Sequence, residues 1–184
     1  MDDDLRALGY GAIWQTMAAE DVGAPHRRLR VWVLAVRGLA QWELLPRPSA
    51  QGDLFAPWVD SEAVDGLWPT ATVNGNRNRA GLTAKSGDGL ATALKQYGSG
   101  TPNPAWVELL MGYPVGWTNP DDDASGAHAW PSGRGEQQHE HEPPRLVPPK
   151  SVRNRGARLK ALGNAVVPQC AEAAILRALA AVGP

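Results

Sequence analysis

Two arginines one residue apart, Arg28 and Arg30, stand where a turn meets an apolar run in residues 23–35, Gly-Ala-Pro-His-Arg-Arg-Leu-Arg-Val-Trp-Val-Leu-Ala. In extended backbone the side chains alternate between faces, so Arg28 and Arg30 are expected on one side with Trp32 and Leu34. A guanidinium is a rigid fork of donors that stays charged and suits phosphate oxygens and base carbonyls. Spacing alone leaves two readings open, an anion or nucleobase contact and the solvated end of a strand. A second polar cluster lies in residues 69–85, where Asn and Arg alternate in a glycine-flanked loop: Asn74, Asn76, Arg77, Asn78, Arg79 and Lys85. Asn can pair bidentately with adenine and Arg with guanine in the major groove. A polar turn that touches nothing has the same composition.

Other reactive side chains are less well placed. Glu108 sits alone on a short apolar segment, and a lone glutamate there is expected on the solvated surface, outside the catalytic set. His128, His139 and His141 lie in a polar tract without the further organised ligands of a structural zinc, so no metal site is expected. Cys170 is the one cysteine, which excludes an internal disulfide framework. As a nucleophile it would need a positioned partner.

The elements that must position these groups follow from patterning. The acids Asp2, Asp3 and Asp4 suit the start of a short helix over residues 5–8, stopped by Gly9 and Gly11. Residues 12–17 and 30–36 predict two adjacent strands of one sheet, joined by a loop. A Pro-broken linker follows, with a short helix over 61–67. Residues 103–118 predict a short helix with Pro104 in its first turn and a stop at Gly112. Residues 119–149, acidic and rich in His and Pro, predict a loosely held loop. Then Arg145, Lys150, Arg153, Arg155, Arg158 and Lys160 form a basic run that either contacts phosphates or neutralises that loop. From Pro168 onward, Ala171, Ala174, Ile175, Ala178, Leu179 and Val182 recur at three- and four-residue steps, a helix whose apolar face needs a sheet. The chain thus divides into 1–37, 38–118, 119–149 and 150–184.

With 184 residues the chain is long enough for one domain with a core, or one lobe of a larger enzyme. Its 43% hydrophobic and 20% charged residues exclude wholesale disorder. A net charge of −1 excludes a polycation, so nucleic-acid contacts must rest on local patches. The acidic start, the single cysteine and the lack of an apolar run of about 18 to 20 residues predict a soluble cytoplasmic protein. One short helix and two strands lack the preceding βαβ units of an α/β sheet, so the rest of that sheet is expected upstream or on another chain.

Residues 8–18, with Leu8-Gly9-Tyr10-Gly11, and then Asp21-Val22-Gly23-Ala24-Pro25-His26-Arg27-Arg28-Leu29-Arg30-Val31, resemble the eighth conserved motif of DNA cytosine-5 methyltransferases. His26 stands where that family usually has Gln. Leu162-Gly163-Asn164-Ala165-Val166-Val167-Pro168 is similar to the tenth motif, and residues 103–118, with Met111-Gly112-Tyr113-Pro114-Val115-Gly116-Trp117-Thr118, resemble the end of the ninth in phage-type members. The three matches fall in the family's order.

The resemblance implies an α/β fold: an incomplete S-adenosylmethionine-dependent methyltransferase sheet, made of trailing strands and a returning carboxy-terminal helix, plus a small irregular target-recognition lobe. It implies that Arg30 contacts the target cytosine, that Arg28 supports the catalytic pocket, and that Asn164 and Ala165 border S-adenosylmethionine. It also implies that the loop with Asn74 to Lys85 meets double-stranded DNA. The family's Pro-Cys, Glu-Asn-Val and glycine-rich motifs are absent from these residues. The chain alone is therefore expected to be inactive and to need an amino-terminal methyltransferase half as a partner. The alternative is a non-catalytic DNA-binding remnant or regulator.

Overall fold

The computed structural model describes residues 2–39, 42–45, 66–73, 89–124 and 126–182. The six candidate DNA-contact residues, Asn74, Asn76, Arg77, Asn78, Arg79 and Lys85, lie outside the described residues, as does most of the expected helix over 61–67.

Helix α1 (Asp2–Ala7) leads through Gly9, at φ +78°, into strand β1 (Tyr10–Met17). Strand β2 (Arg30–Arg37) returns antiparallel in the register Met17↔Arg30 to Tyr10↔Arg37. The short strand β3 (Trp42–Leu44) lies parallel on the other side of β1, giving the order β2-β1-β3. Between β1 and β2, a 3-10 turn (Ala19–Val22) closes on Gly23, whose φ of +89° needs a residue without Cβ. The β2 alternation does not reach back to Arg28. That residue has φ +32°, outside the strand region and rare for an L side chain, so the two arginines are not successive members of one pleat.

Helix α5 (Pro168–Val182) lies on the sheet, over β1 and β2. The face it buries is made of small residues, Cys170, Ala174 and Ala178, which let the backbones approach until Gln15 Nε2 donates to the Ala174 carbonyl. The larger residues of the expected apolar face are turned outward: Ile175 and Leu179 are about half exposed, as is Leu176.

The remaining elements are α2 (Leu90–Leu94), strand β4 (Thr101–Pro102), helix α3 (Pro104–Leu110), strand β5 (Leu146–Val147) and helix α4 (Arg155–Asn164). Asn103 caps α3 by accepting from the Ala105 N–H (3.1 Å), Pro104 occupies its first turn, and Gly112 follows at φ +83°. One buried cluster runs from Met17 through Trp68, Leu94 and Trp106 to Leu162 and Cys170, so the sheet and the following segments share a core. At this level the protein is α/β, a mixed three-stranded sheet with helices.

Part of residues 119–149, expected to be loosely held, instead packs on this core, around Trp130–Ser132 and Arg145–Leu146. Arg145 lies over the Trp68 and Tyr97 rings at 4.9 and 4.5 Å and donates to Ser132 Oγ (2.8 Å). Glu142 accepts from Trp106 Nε1 (3.0 Å), Ser132 N–H (2.7 Å) and His139 N–H (2.8 Å). Polar bonds to buried aromatics hold this segment, and no apolar periodicity announces them.

The span Arg155–Val182 is long and apolar enough to cross a membrane by length and composition, where the sequence pattern predicts no such run. It is two helices, α4 and α5, separated where Ala165 becomes extended at φ −69° and ψ 161°.

Candidate functional site

The β1–β2 connection carries the first arginine motif to a junction of three segments. Trp68 N–H donates to the Pro25 carbonyl (2.8 Å) and Arg28 N–H to Thr70 Oγ1 (3.2 Å), which lays residues 25–28 beside residues 68–71. The Arg28 guanidinium then donates to the carbonyls of Ala71 (2.7 Å), Gly163 (3.1 Å) and Ala165. Arg28 is buried, and its donors point into the protein. It is a positioning residue that fixes the turn after α4 against the β1–β2 connection.

Gly163 makes that contact possible. A Cβ there would lie 2.5 Å from the Val73 nitrogen and 2.6 Å from the Thr72 carbonyl carbon, so only glycine lets the two backbones meet. Asn164 is exposed and Ala165 half-buried on the turn that Arg28 holds.

The segment after α3 closes the third side. Tyr113 donates its hydroxyl proton to the Val166 carbonyl (3.0 Å) and stacks on Trp117 with ring centroids 5.4 Å apart and planes at 24°. Trp117 is 56% exposed, with Val115 and Val166 also open to solvent. Burial pushes the Tyr113 hydroxyl pKa up, against the nearby Arg28 charge.

This loop is clamped by Glu108, expected at the surface but 0% exposed. Its carboxylate accepts from Gly116 N–H (2.7 Å), Thr118 N–H (2.9 Å), the Thr118 hydroxyl and Arg158 Nη2 (2.8 Å). Arg158, expected in a basic run that contacts phosphates or neutralises the acidic loop, is instead an internal counter-ion, as Arg145 is an internal cation over aromatic rings. Arg153 pairs with Asp121 at the surface (2.9 Å), while Lys150 and Lys160 remain exposed. The sequence signal for Glu108 was its place between Val107 and Leu109 on a helix of seven residues, where both neighbours are buried. An acid so enclosed needs a charged or hydrogen-bonded partner.

Arg30 differs from Arg28. It is half-buried at the start of β2, and among the described residues its guanidinium donates only to the adjacent Leu29 carbonyl (2.7 Å). Its remaining donors are available to a ligand. Close by, His26 is wholly buried. Burial first, and the Arg28 charge second, hold its imidazole down to a pKa of about 3, so it is neutral at ordinary pH. Neither ring nitrogen has a hydrogen-bond partner of good geometry, although the Leu110 backbone lies near enough to oppose the shift.

Cys170 donates weakly to the Ala18 carbonyl (3.5 Å), and burial, followed by Asp21, pushes its thiol up to about 11. Such a thiol is an inert core group. His128 sits against Trp130 and His139 stacks on His141, and among the described residues no three His, Cys, Asp or Glu side chains group as metal ligands.

The structure thus brings Arg28 to the turn that carries Asn164 and Ala165, with Tyr113 bonded to Val166 beside it, while Arg30 bonds only the neighbouring Leu29 carbonyl. No protein-family model matches this chain, and neither a curated protein nor a solved structure matches it.

Proposed function

We propose that this chain is the carboxy-terminal part of an S-adenosylmethionine-dependent DNA cytosine-5 methyltransferase. It supplies target recognition and part of the cytosine and cofactor pockets, while the nucleophile comes from outside residues 1–184. The observation that carries the reading is convergence. The three segments that resemble methyltransferase motifs lie far apart in the chain, yet Arg28 of the first bonds the Gly163 and Ala165 carbonyls of the last, up to 137 residues away, and Tyr113 of the middle one bonds Val166.

In this reading Arg30 offers its unused donors to the cytosine, and Arg28 fixes the turn that borders the methyl donor through Asn164 and Ala165. The residues Asn74 to Lys85, outside the described structure, would bind double-stranded DNA. S-adenosylmethionine would supply the methyl group, and the chain's own part is to shape one wall of its pocket. The buried, protonated Cys170 supports placing the nucleophile elsewhere. Cytosine methylation belongs where DNA is, which agrees with a cytoplasmic protein.

Equilibrium dialysis with labelled S-adenosylmethionine tests the shared pocket. The expected result is retention by a mixture of this chain with an amino-terminal methyltransferase half, weakened by Ala165→Leu, and none by this chain alone. DNA binding without cofactor retention in any mixture would favour the non-catalytic remnant.

A further inference from the structure

We propose that Glu108, acting through Thr118 and Arg158, is a positioning residue of the candidate site: it orients α4, and with it the turn at residues 163–166. The inference rests on the methyltransferase reading for what that turn borders, whereas the link from Glu108 to the turn is a feature of this structure and can be measured without a cofactor.

Helix α4 has little apolar anchorage. Its ten residues bury two apolar side chains, Leu159 and Leu162, which leaves the rotation and tilt of the helix to be fixed by other groups. Polar contacts do this at both ends. Beyond the end of α4, Arg28 donates to the Gly163 and Ala165 carbonyls, and Tyr113 to the Val166 carbonyl (3.0 Å). In the first half of the helix, Arg158 donates through Nη2 to Glu108 Oε1 (2.8 Å) and through Nε to Thr118 Oγ1 (2.9 Å). The Thr118 hydroxyl in turn donates to the same Glu108 oxygen, so three side chains close a triangle.

A triangle of this kind is directional where a lone ion pair is not. The guanidinium is a planar, rigid fork, and bonds from two of its nitrogens to two different residues fix its plane. The carboxylate that receives it is itself held, since Glu108 also accepts from the Gly116 N–H (2.7 Å) and the Thr118 N–H (2.9 Å). The backbone of Glu108 serves the other end of the same loop. Its carbonyl accepts from the Tyr113 N–H (2.9 Å), and the Tyr113 hydroxyl reaches Val166. Both contacts of the loop with α4 and its following turn therefore refer back to one residue of α3.

Stability alone does not account for burying these charges. Desolvation offsets much of the attraction in a buried ion pair, and apolar side chains of similar volume often serve stability equally well. What the charged triangle adds is a fixed geometry between α3, the loop at residues 113–118 and α4. In the methyltransferase reading, that geometry places Asn164 and Ala165 against the methyl donor.

Thr118→Val tests the bridge without stranding a charge, because the Glu108–Arg158 pair remains, and Thr118→Ser keeps the hydroxyl. The readouts are thermal unfolding of the free chain, hydrogen exchange of the Ala165 amide, which bonds the Leu162 carbonyl (3.2 Å), and retention of labelled S-adenosylmethionine by a mixture with an amino-terminal methyltransferase half. Well below the unfolding midpoint, Thr118→Val should speed exchange at Ala165 by roughly tenfold and weaken cofactor retention by a similar factor, while Thr118→Ser restores both. Should Thr118→Val fail to fold, Arg158→Lys makes the same test, since it keeps a cation opposite Glu108 but replaces the fork with one ammonium. Exchange at Ala165 that stays at the unmodified rate, with only the unfolding midpoint lowered, would reduce the triangle to a structural role and overturn the proposal. Unchanged cofactor affinity in these variants would overturn it as well. An unmodified mixture that retains no cofactor would overturn the methyltransferase reading instead, and exchange at Ala165 would still decide whether Glu108 positions the turn.

Discussion

His26 is the residue where the site and stability meet. It takes the place of a glutamine in the motif it resembles, and as an imidazole buried beside Arg28 it holds a pKa of about 3 against an ordinary 6.5. Between those values the unfolded chain binds a proton that the folded chain refuses, so stability should fall as pH is lowered from about 6.5 toward 3. His26→Gln removes that titration. Denaturant unfolding at several pH values should give a flatter profile for the variant over this window, and parallel profiles would show that His26 is not buried as described. Glu142 works at the lower end of the same range. Its partial burial raises its pKa, but bonds from Ser132, His139 and Trp106 outweigh this and bring it to about 2. Its contribution, complete above about 4.5, is lost as pH falls toward 2. The Glu108–Arg158 pair belongs to the same scale. Removing one partner from a buried pair typically costs about 3–5 kcal/mol, because the other charge is stranded. Pairing across fifty residues with no shared pattern is invisible in the sequence, which is why both groups read there as surface charges.

Among the elements, α4 and the turn after it set the shape of the site. Gly163→Ala forces a Cβ onto the Thr72 and Val73 backbone, and a close contact of this kind costs about 1–3 kcal/mol. Gly156, earlier in the same helix, has open space where its Cβ would go, so Gly156→Ala should be neutral or stabilising by about 0.5–1 kcal/mol on helix propensity. Urea midpoints of the two variants should therefore move in different directions. Equal shifts would mean that the turn is not packed on residues 72–73. Strands β1 and β2 and helices α3 and α5 were legible because apolar runs are bounded by glycine and proline, as at Gly9, Gly23, Pro104 and Pro168, whereas the two- and three-residue strands β3, β4 and β5 were too short to show a pattern. Helix α4 was not, since its ten residues include two glycines and only two buried apolar side chains, Leu159 and Leu162. Tertiary contacts, above all those of Arg158, supply what its own pattern lacks. Which face of α5 is buried was also hidden. Periodicity marks a stripe, but the close approach of Gln15 selects the alanines within it.

At the scale of the whole molecule, the described residues form a mixed three-stranded sheet with one helix on one face, and Val31 and Val33 on the other face of β2 are exposed. Three motif-like segments are folded into a junction, and the chain's one thiol, Cys170, is buried and protonated. The proposed reading gives this chain the shaping and binding and places the nucleophile outside residues 1–184. The most direct measurement is transfer of labelled methyl groups from S-adenosylmethionine to duplex DNA. It should be made with this chain alone, with an amino-terminal methyltransferase half alone, and with the two together. Activity confined to the mixture, on cytosine, and abolished by Arg30→Ala is the predicted result. Transfer by this chain alone, or a mixture in which Arg30→Ala is fully active, would contradict it.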